Sequence, residues 1–291
     1  MIVIPEQIRT NAPLHCHTSL RVGGPARFLA EPSDVRILVS SLRWVTAEGI
    51  KWACLGVGTN VVFPDSGFPG VVLRTVGLRG TRIDGARLAA AAGEPLSWAA
   101  RLACEAGFSG MEWAWGIPGS VGGAVAMNAG AQGGETADAL VDVETATADG
   151  LNRRRAHDLG FGYRRSMFLT EKPREVVTEA TFELAVSTPE RTVARARRLL
   201  AERGRKFPSG ATAGCTFRNP PEGPSAGELL DRAGCKGLRV GSAWVSDVHA
   251  NFIINDGSEN AADVLELIEA MKRRVRDTFG VDLIEEIVVY P

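Results

Sequence analysis

The chain has no apolar run approaching the length of a bilayer-spanning helix, so no membrane segment is expected. It has no excess of either charge. Thirty-three Lys and Arg stand against 34 Asp and Glu, a net charge of −1, which removes any global case for a nucleic-acid or anionic-membrane surface. It has no CxxC pair. The five cysteines, Cys16, Cys54, Cys104, Cys215 and Cys235, are odd in number and widely spaced. That argues against a disulfide framework or a zinc site, and for a reducing compartment. Histidine is scarce, and the one close pair, His15 and His17 around Cys16 on an expected strand, is read as surface rather than as a metal site. The stretch MIVIPEQIRTN lacks a basic region followed by a long apolar core, so no signal peptide is expected.

What the chain does have is glycine in two concentrated places. From Trp115 to Glu135, WGIPGSVGGAVAMNAGAQGGE, seven residues are glycine and only Glu135 is charged. Glycine lets the main chain approach a ligand closely, and successive exposed N–H groups form anion-binding nests. This stretch is read as a loop that wraps a phosphate-bearing cofactor; a plain glycine-rich turn between strands is the alternative. No Lys-Ser or Lys-Thr follows a glycine, so it is not a Walker loop, and no strand–GxGxxG–helix unit is evident. A second glycine loop, LGVGTNVVF from Leu55 to Phe63, follows a short buried strand at Trp52 to Gly56. Two such loops make a two-sided clamp on phosphate the better reading.

Apolar spacing predicts a helix over 34–48 capped by Ser33, another over 96–106 after Pro95, a basic-faced helix over 191–205, a short helix over 225–234, and a strongly amphipathic one over 260–279 capped by Asn260 and stopped by Gly280. Strands are expected at 71–76, 87–92, 140–148, 175–186, 249–255 and 281–290, with strand, turn and strand over 18–32 and a turn over 79–84. Between two of these strands lies FGYRRSMF, Phe161 to Phe168, whose arginine pair is either ordinary surface or a guanidinium presented to an anionic substrate.

GVGTN, GIPGSVGGAVAMNAGA, GYRRS, AGCTFRNP, HANFIIN and a Glu-bearing last segment occur in that order. Together they resemble the UDP-N-acetylenolpyruvoylglucosamine reductase family over essentially the whole chain from about Asn11. The resemblance implies an α+β protein with an FAD-binding fold of the vanillyl-alcohol-oxidase (PCMH) type in two subdomains, 1–76 and 77–187, and a C-terminal α+β substrate-binding domain, 188–291. The short interval from Phe182 to Arg191 leaves no room for a tyrosine-bearing insertion found in one branch, so the chain is similar to the shorter type.

The resemblance also implies the chemistry. NADPH reduces non-covalent FAD, which passes hydride to the enolpyruvyl ether of UDP-N-acetylglucosamine to give UDP-N-acetylmuramate for peptidoglycan synthesis. Hydride addition beside a carboxylate builds charge on that carboxylate, so a fixed cation and an acid are required. By position in the motifs, Arg164 is the candidate for holding the carboxylate, with Arg165 its rival. Glu286 is the candidate acid of the last segment, with Glu285 its rival. Cys215 stands where most members carry the serine proton donor; a thiol, unperturbed at about 8.5, is protonated at neutral pH and can donate. A water delivering the proton past a merely structural Cys215 is the alternative.

The candidate cofactor contacts are Gly56, Val57, Gly58, Thr59, Asn60 and Val61 in one loop, and Ile117, Pro118, Gly119, Ser120, Gly122, Gly123, Asn128 and Gly130 in the other. Arg205, Lys206, Arg218, Asn219, Lys236 and Asn251 are the candidate substrate contacts. No metal, nucleic acid or membrane span is expected, and the chain is expected to act as a cytoplasmic monomer. Two other functions fit the same motifs: an oxygen-using flavin oxidase, or a non-catalytic flavin- or nucleotide-sugar-binding protein.

Overall fold

A computed structural model describes residues 8–169 and 174–290. The part of the N-terminal stretch at 1–7 that was read for a leader lies outside the described residues. The described fold mixes helices and strands throughout, with six α-helices among them: α1 Val35–Ala47, α2 Leu96–Glu105, α3 Val121–Met127, α4 Pro189–Lys206, α5 Ala226–Arg232 and α6 Ala261–Phe279.

By contacts the chain falls into two compact units, each made of three chain segments. One takes Met1–Thr10, Phe28–Val57 and Gly70–Arg203; the other takes Asn11–Arg27, Gly58–Pro69 and Gly204–Pro291. By contacts, Asn11–Arg27 and Gly58–Pro69, which the resemblance assigns to the first subdomain, cluster with the C-terminal segment.

The first unit is built on a five-stranded antiparallel sheet in the order Leu151–Arg155, Leu140–Ala146, Val176–Glu183, Arg87–Ala91, Thr81–Asp84. Along Val176–Glu183, Ala180 and Phe182 alternate onto one buried face, and a register shift against Glu144–Thr145 interrupts the alternation at Thr178. Helix α3 packs against this strand. The alanine face of α2, with Ala99, Ala100 and Ala103 fully buried, is the close-packing face expected from its small residues.

The second unit has its own core. In it α6 buries Val264, Leu267, Ile268, Met271 and Val275 along the predicted stripe. It packs on a three-stranded sheet of Arg239–Val240, Ala243–Val245 and Ile253–Asn255. Asn260 caps α6 as expected, and Asp65 adds two further acceptors for its first amides, Ala261 N at 2.7 Å and Ala262 N at 3.0 Å.

Several local expectations change. Asp34, not Ser33, caps α1: its Oδ1 accepts from the amides of Arg36 and Ile37. Thr81–Asp84 is a strand that pairs with Arg87–Ala91 through a turn at Gly85, so the expected turn over 79–84 sits later. Leu14–His17 is a 3-10 turn rather than a strand. Of 249–255 only Ile253–Asn255 is strand, and of 281–290 only Val288–Val289, because the partner Val61–Val62 is two residues long. The glycine stretch is not loop throughout, since its centre is α3.

Candidate active site

The Arg164 segment is a hairpin turn in the first unit. Gly162 and Arg165 exchange both backbone hydrogen bonds, each 3.1 Å, so Tyr163 and Arg164 form a two-residue connection. Arg164 has φ +53°, a backbone state that non-glycine residues seldom adopt and that concentrates at functional positions. Its guanidinium folds back on the carbonyls of Asn128 (Nη1, 3.4 Å) and Gly130 (Nη2, 2.6 Å) and lies 5.2 Å from the centre of the Tyr163 ring. Arg164 is half-buried, whereas Arg165 is exposed.

Asn128 holds this turn from beneath. It is fully buried at the C-cap of α3, with φ +43°. Its Nδ2 donates to Gly162 O at 3.0 Å and its Oδ1 accepts from Ala137 N at 3.0 Å. Asn128, expected among the cofactor contacts, anchors the Arg164 turn through its buried side-chain amide. Ser166 supplies a second anchor, its hydroxyl donating to Ala126 O at 2.6 Å. The cation thus sits at the carbonyl end of α3, the end whose dipole favours positive charge.

The amino end of α3 is the heart of the glycine stretch. Val121 N donates to Glu94 O and Gly122 N to Ala92 O, both at 2.9 Å, and Gly123 N to Ser120 Oγ at 3.3 Å. The amides of Gly122 and Gly123, two of the expected cofactor contacts, are therefore engaged within the protein. Gly122 is needed for close approach: a Cβ there would lie 2.8 Å from that of Ala92. Gly119, at φ +140°, and Ser120 differ, because among the described residues their amides make no hydrogen bond to protein. A Cβ on Gly56 would run into Ser120 Oγ, so the Gly56–Val57 end of the other glycine loop meets this turn directly. Two turns in contact, with backbone bared by glycine and two open amides, fit a phosphate-bearing cofactor.

The second unit carries the loop onward from Gly58. A Cβ on Gly58 would strike His17 O, and Gly58 O accepts from Ser19 N at 2.9 Å. Asn60 Nδ2 donates to Glu286 O at 2.9 Å, and Val61–Val62 pairs in parallel with Val288–Val289.

Cys215 and Glu286 lie on adjacent segments of this unit. Cys215 is half-buried and bridges Phe252 across the chain. The next residue, Thr216, accepts from Glu286 N through its carbonyl at 2.8 Å, and Arg218 N donates to Ile284 O at 2.9 Å. Glu285 is occupied elsewhere: its Oε1 is 2.8 Å from Lys272 Nζ on α6. The same contact, with Glu269 adding to it, raises the lysine's pKa.

Asn251 was expected to line the substrate pocket. It is 2% exposed, its Oδ1 accepts from Phe217 N at 2.9 Å, and its Nδ2 donates to Phe217 O at 2.8 Å. Its carbonyl also accepts from Thr216 N at 2.8 Å, so it clamps the segment that carries Cys215.

Among the basic candidates, Arg205 and Lys206 are exposed at the end of α4. Arg218 is half-buried, and among the described residues its Nε is buried without a hydrogen-bond partner. Asn219 Oδ1 accepts from Ala226 N at the start of α5. Lys236 Nζ is 2.7 Å from Asp231 Oδ2, and both line a cavity of about 300 Å³ with Ser225, Arg232 and His249.

His249 was not singled out beforehand. Its ring packs against Phe207 and Phe252, at 5.4 and 5.0 Å between centres, and its Nδ1 accepts from Asn251 N at 3.2 Å. Burial, helped by the Lys236 charge, holds its pKa below the usual histidine value. The HANF motif itself was the signal for this position. Among the described residues no group of three or more His, Cys, Asp or Glu could hold a metal, and no helix is long and apolar enough to cross a membrane.

Comparison with known proteins agrees along the chain. Residues 26–154 match the family described as FAD binding domain, and residues 206–290 match UDP-N-acetylenolpyruvoylglucosamine reductase, C-terminal domain. The chain is similar to the UDP-N-acetylenolpyruvoylglucosamine reductase of Chloroflexus aggregans, 39% identical over 98% of both chains. It is 40% identical to that of Rubrobacter xylanophilus over 95% of this chain and 93% of the relative. The crystal structure of the Thermus caldophilus UDP-N-acetylenolpyruvylglucosamine reductase, 36% identical, matches over 98% of both chains with a TM-score of 0.82. The expected α+β, flavin-binding fold is thereby borne out.

Proposed function

The chain belongs to the UDP-N-acetylenolpyruvoylglucosamine reductase family of FAD-dependent oxidoreductases, and from that premise we propose that it uses NADPH to convert the enolpyruvyl ether of UDP-N-acetylglucosamine to UDP-N-acetylmuramate, with Cys215 as proton donor. The reaction serves peptidoglycan precursor synthesis in the cytoplasm, and the chain works as a monomer.

Gly56 to Thr59, Val61 and Ile117 to Ser120 would hold the FAD, Gly119 and Ser120 through their open amides. When bound, FAD supplies the hydride, taken from NADPH and delivered to the terminal carbon of the enol ether. Arg164 binds the substrate carboxylate, whose charge grows as hydride adds, and the carbonyl end of α3 keeps that guanidinium in one place. The Cys215 thiol gives its proton to the adjacent carbon and is reprotonated from solvent. Glu286, in its protonated form, shares the developing charge through a hydrogen bond. Lys236, Arg205, Lys206 and Arg218 are the cations for the UDP diphosphate.

The observation that carries this reading is the 2.8 Å hydrogen bond from Glu286 N to Thr216 O, which sets the two candidate acids on neighbouring segments. The test is anaerobic. NADPH should bleach the yellow protein, and the enolpyruvyl sugar nucleotide should restore the colour. Cys215→Ala should slow that restoration on the order of 10²-fold while bleaching stays near normal. Colour restored only by oxygen would make the protein an oxidase, and an absence of bleaching would make it a binding protein.

A further inference from the structure

Glu286 stands on backbone that regular structure does not fix. The strand that should carry it begins only at Val288, and the residue itself lies in a bend. Its main chain is held on two sides instead. Its N–H donates to Thr216 O at 2.8 Å, and its carbonyl accepts from the side-chain amide of Asn60 at 2.9 Å. Asn60 grips the same segment a second time, because its own carbonyl accepts from Val288 N at 2.9 Å. The side chain thus extends the short parallel pairing of Val61–Val62 with Val288–Val289 by one further step, as far as Glu286.

We propose that Asn60 is a positioning residue for Glu286: its carboxamide, rather than a contact to the cofactor, is what the loop GVGTN requires at its last position. This rests on the reading of Glu286 given above. A side-chain amide is suited to the task because it supplies an N–H directed at a main-chain carbonyl while its own backbone remains free to pair. Without that N–H, the carbonyl of Glu286 loses this partner and the backbone that carries its side chain is less closely fixed. A misplacement of about 1 Å in a reacting group costs on the order of 10²-fold in rate.

The experiment is a double-mutant cycle of Asn60→Ala and Glu286→Gln, with flavin affinity measured separately by titrating the apoprotein. Asn60→Ala should bind FAD within about 3-fold of the parent and be reduced by NADPH at the parent rate. Its reoxidation by the enolpyruvyl sugar nucleotide should slow by at least about 10-fold. In the Glu286→Gln background the same change should have no further effect, since residues acting through one another are not additive. Additive losses overturn the proposal. So does a more than 10-fold weaker FAD affinity with normal reoxidation once flavin is saturating, which would make Asn60 a cofactor contact. Asn60→Asp, equal in size but without the N–H, reads the same loss if Asn60→Ala does not fold. A Glu286→Gln single variant with the parent rate would instead strike down the role of Glu286, a distinct outcome.

Discussion

Lys272 Nζ lies 2.8 Å from Glu285 Oε1, so of the two adjacent glutamates the first is tied to α6. The partly exposed pair is worth at most about 1 kcal/mol. Glu285→Gln should therefore lower stability by no more than that and leave turnover within about 2-fold. Glu286→Gln should lower kcat by 10² or more at unchanged stability. Steady-state kinetics and urea melts of the two variants decide the matter; equal losses of kcat would contradict it.

Asn128 supports Arg164 without needing to touch a ligand. Replacing it by Ala removes the side-chain partner of two half-buried backbone groups, Gly162 O and Ala137 N, at a cost of about 1 kcal/mol. The variant should also show a raised KM for the sugar nucleotide, because the turn that presents Arg164 loosens. A variant with a lowered melting temperature but an unchanged KM would confine Asn128 to stability.

Gly56 is the point where the two glycine loops touch. In Gly56→Ala the new methyl displaces Ser120 Oγ from its role as the cap of α3, which accounts for about 1 kcal/mol. The larger effect should be on FAD affinity, which should fall at least about 10-fold in apoprotein titration. Unaltered FAD binding would place the cofactor elsewhere.

Acid should destabilise the first unit through Glu112. Burial pushes this carboxyl's pKa up, but hydrogen bonds from the Ser109 hydroxyl and Gly110 amide, with Arg195 nearby, outweigh it and leave the pKa below 4.5. The folded state therefore binds its proton less readily than the unfolded chain. The stabilisation is complete above the unfolded value and disappears as pH falls through the folded one. Glu112→Gln should flatten stability against pH below about 4.5, in urea titrations run across that range.

His249 acts in the same direction in a higher window. Its folded pKa is depressed below 6.5, so its contribution is full above 6.5 and declines as pH drops toward the folded value. His249→Phe should remove the part of the stability slope between 6.5 and the acid limb of Glu112. A persisting slope there would assign it to another group.

Much of this was legible in advance because it depended on local pattern. The apolar stripe and caps of α6 and the alanine face of α2 follow from spacing alone. The helix inside the glycine stretch did not, because glycine disfavours helix, and only the burial of Val121, Ala124 and Val125 overrides that cost. Asn128 and Asn251 looked like ligand contacts in the motifs; their work on Gly162 and Phe217 depends on chain partners 34 residues away in each case. The length of the last strand was hidden for a similar reason, since it is set by Val61–Val62 rather than by its own residues.

The interleaving of the two units has a consequence for synthesis on the ribosome. All segments of the first unit have been translated once Arg203 is joined, so it can begin to fold while the chain is still growing. The second cannot: Asn11–Arg27 and Gly58–Pro69 emerge early but must wait for Gly204–Pro291, and the partner of Val61–Val62 is made more than 200 residues later, at Val288–Val289. Cys215 and Glu286 belong to that late-forming half, so a nascent or prematurely terminated chain can be half folded and still lack both acids.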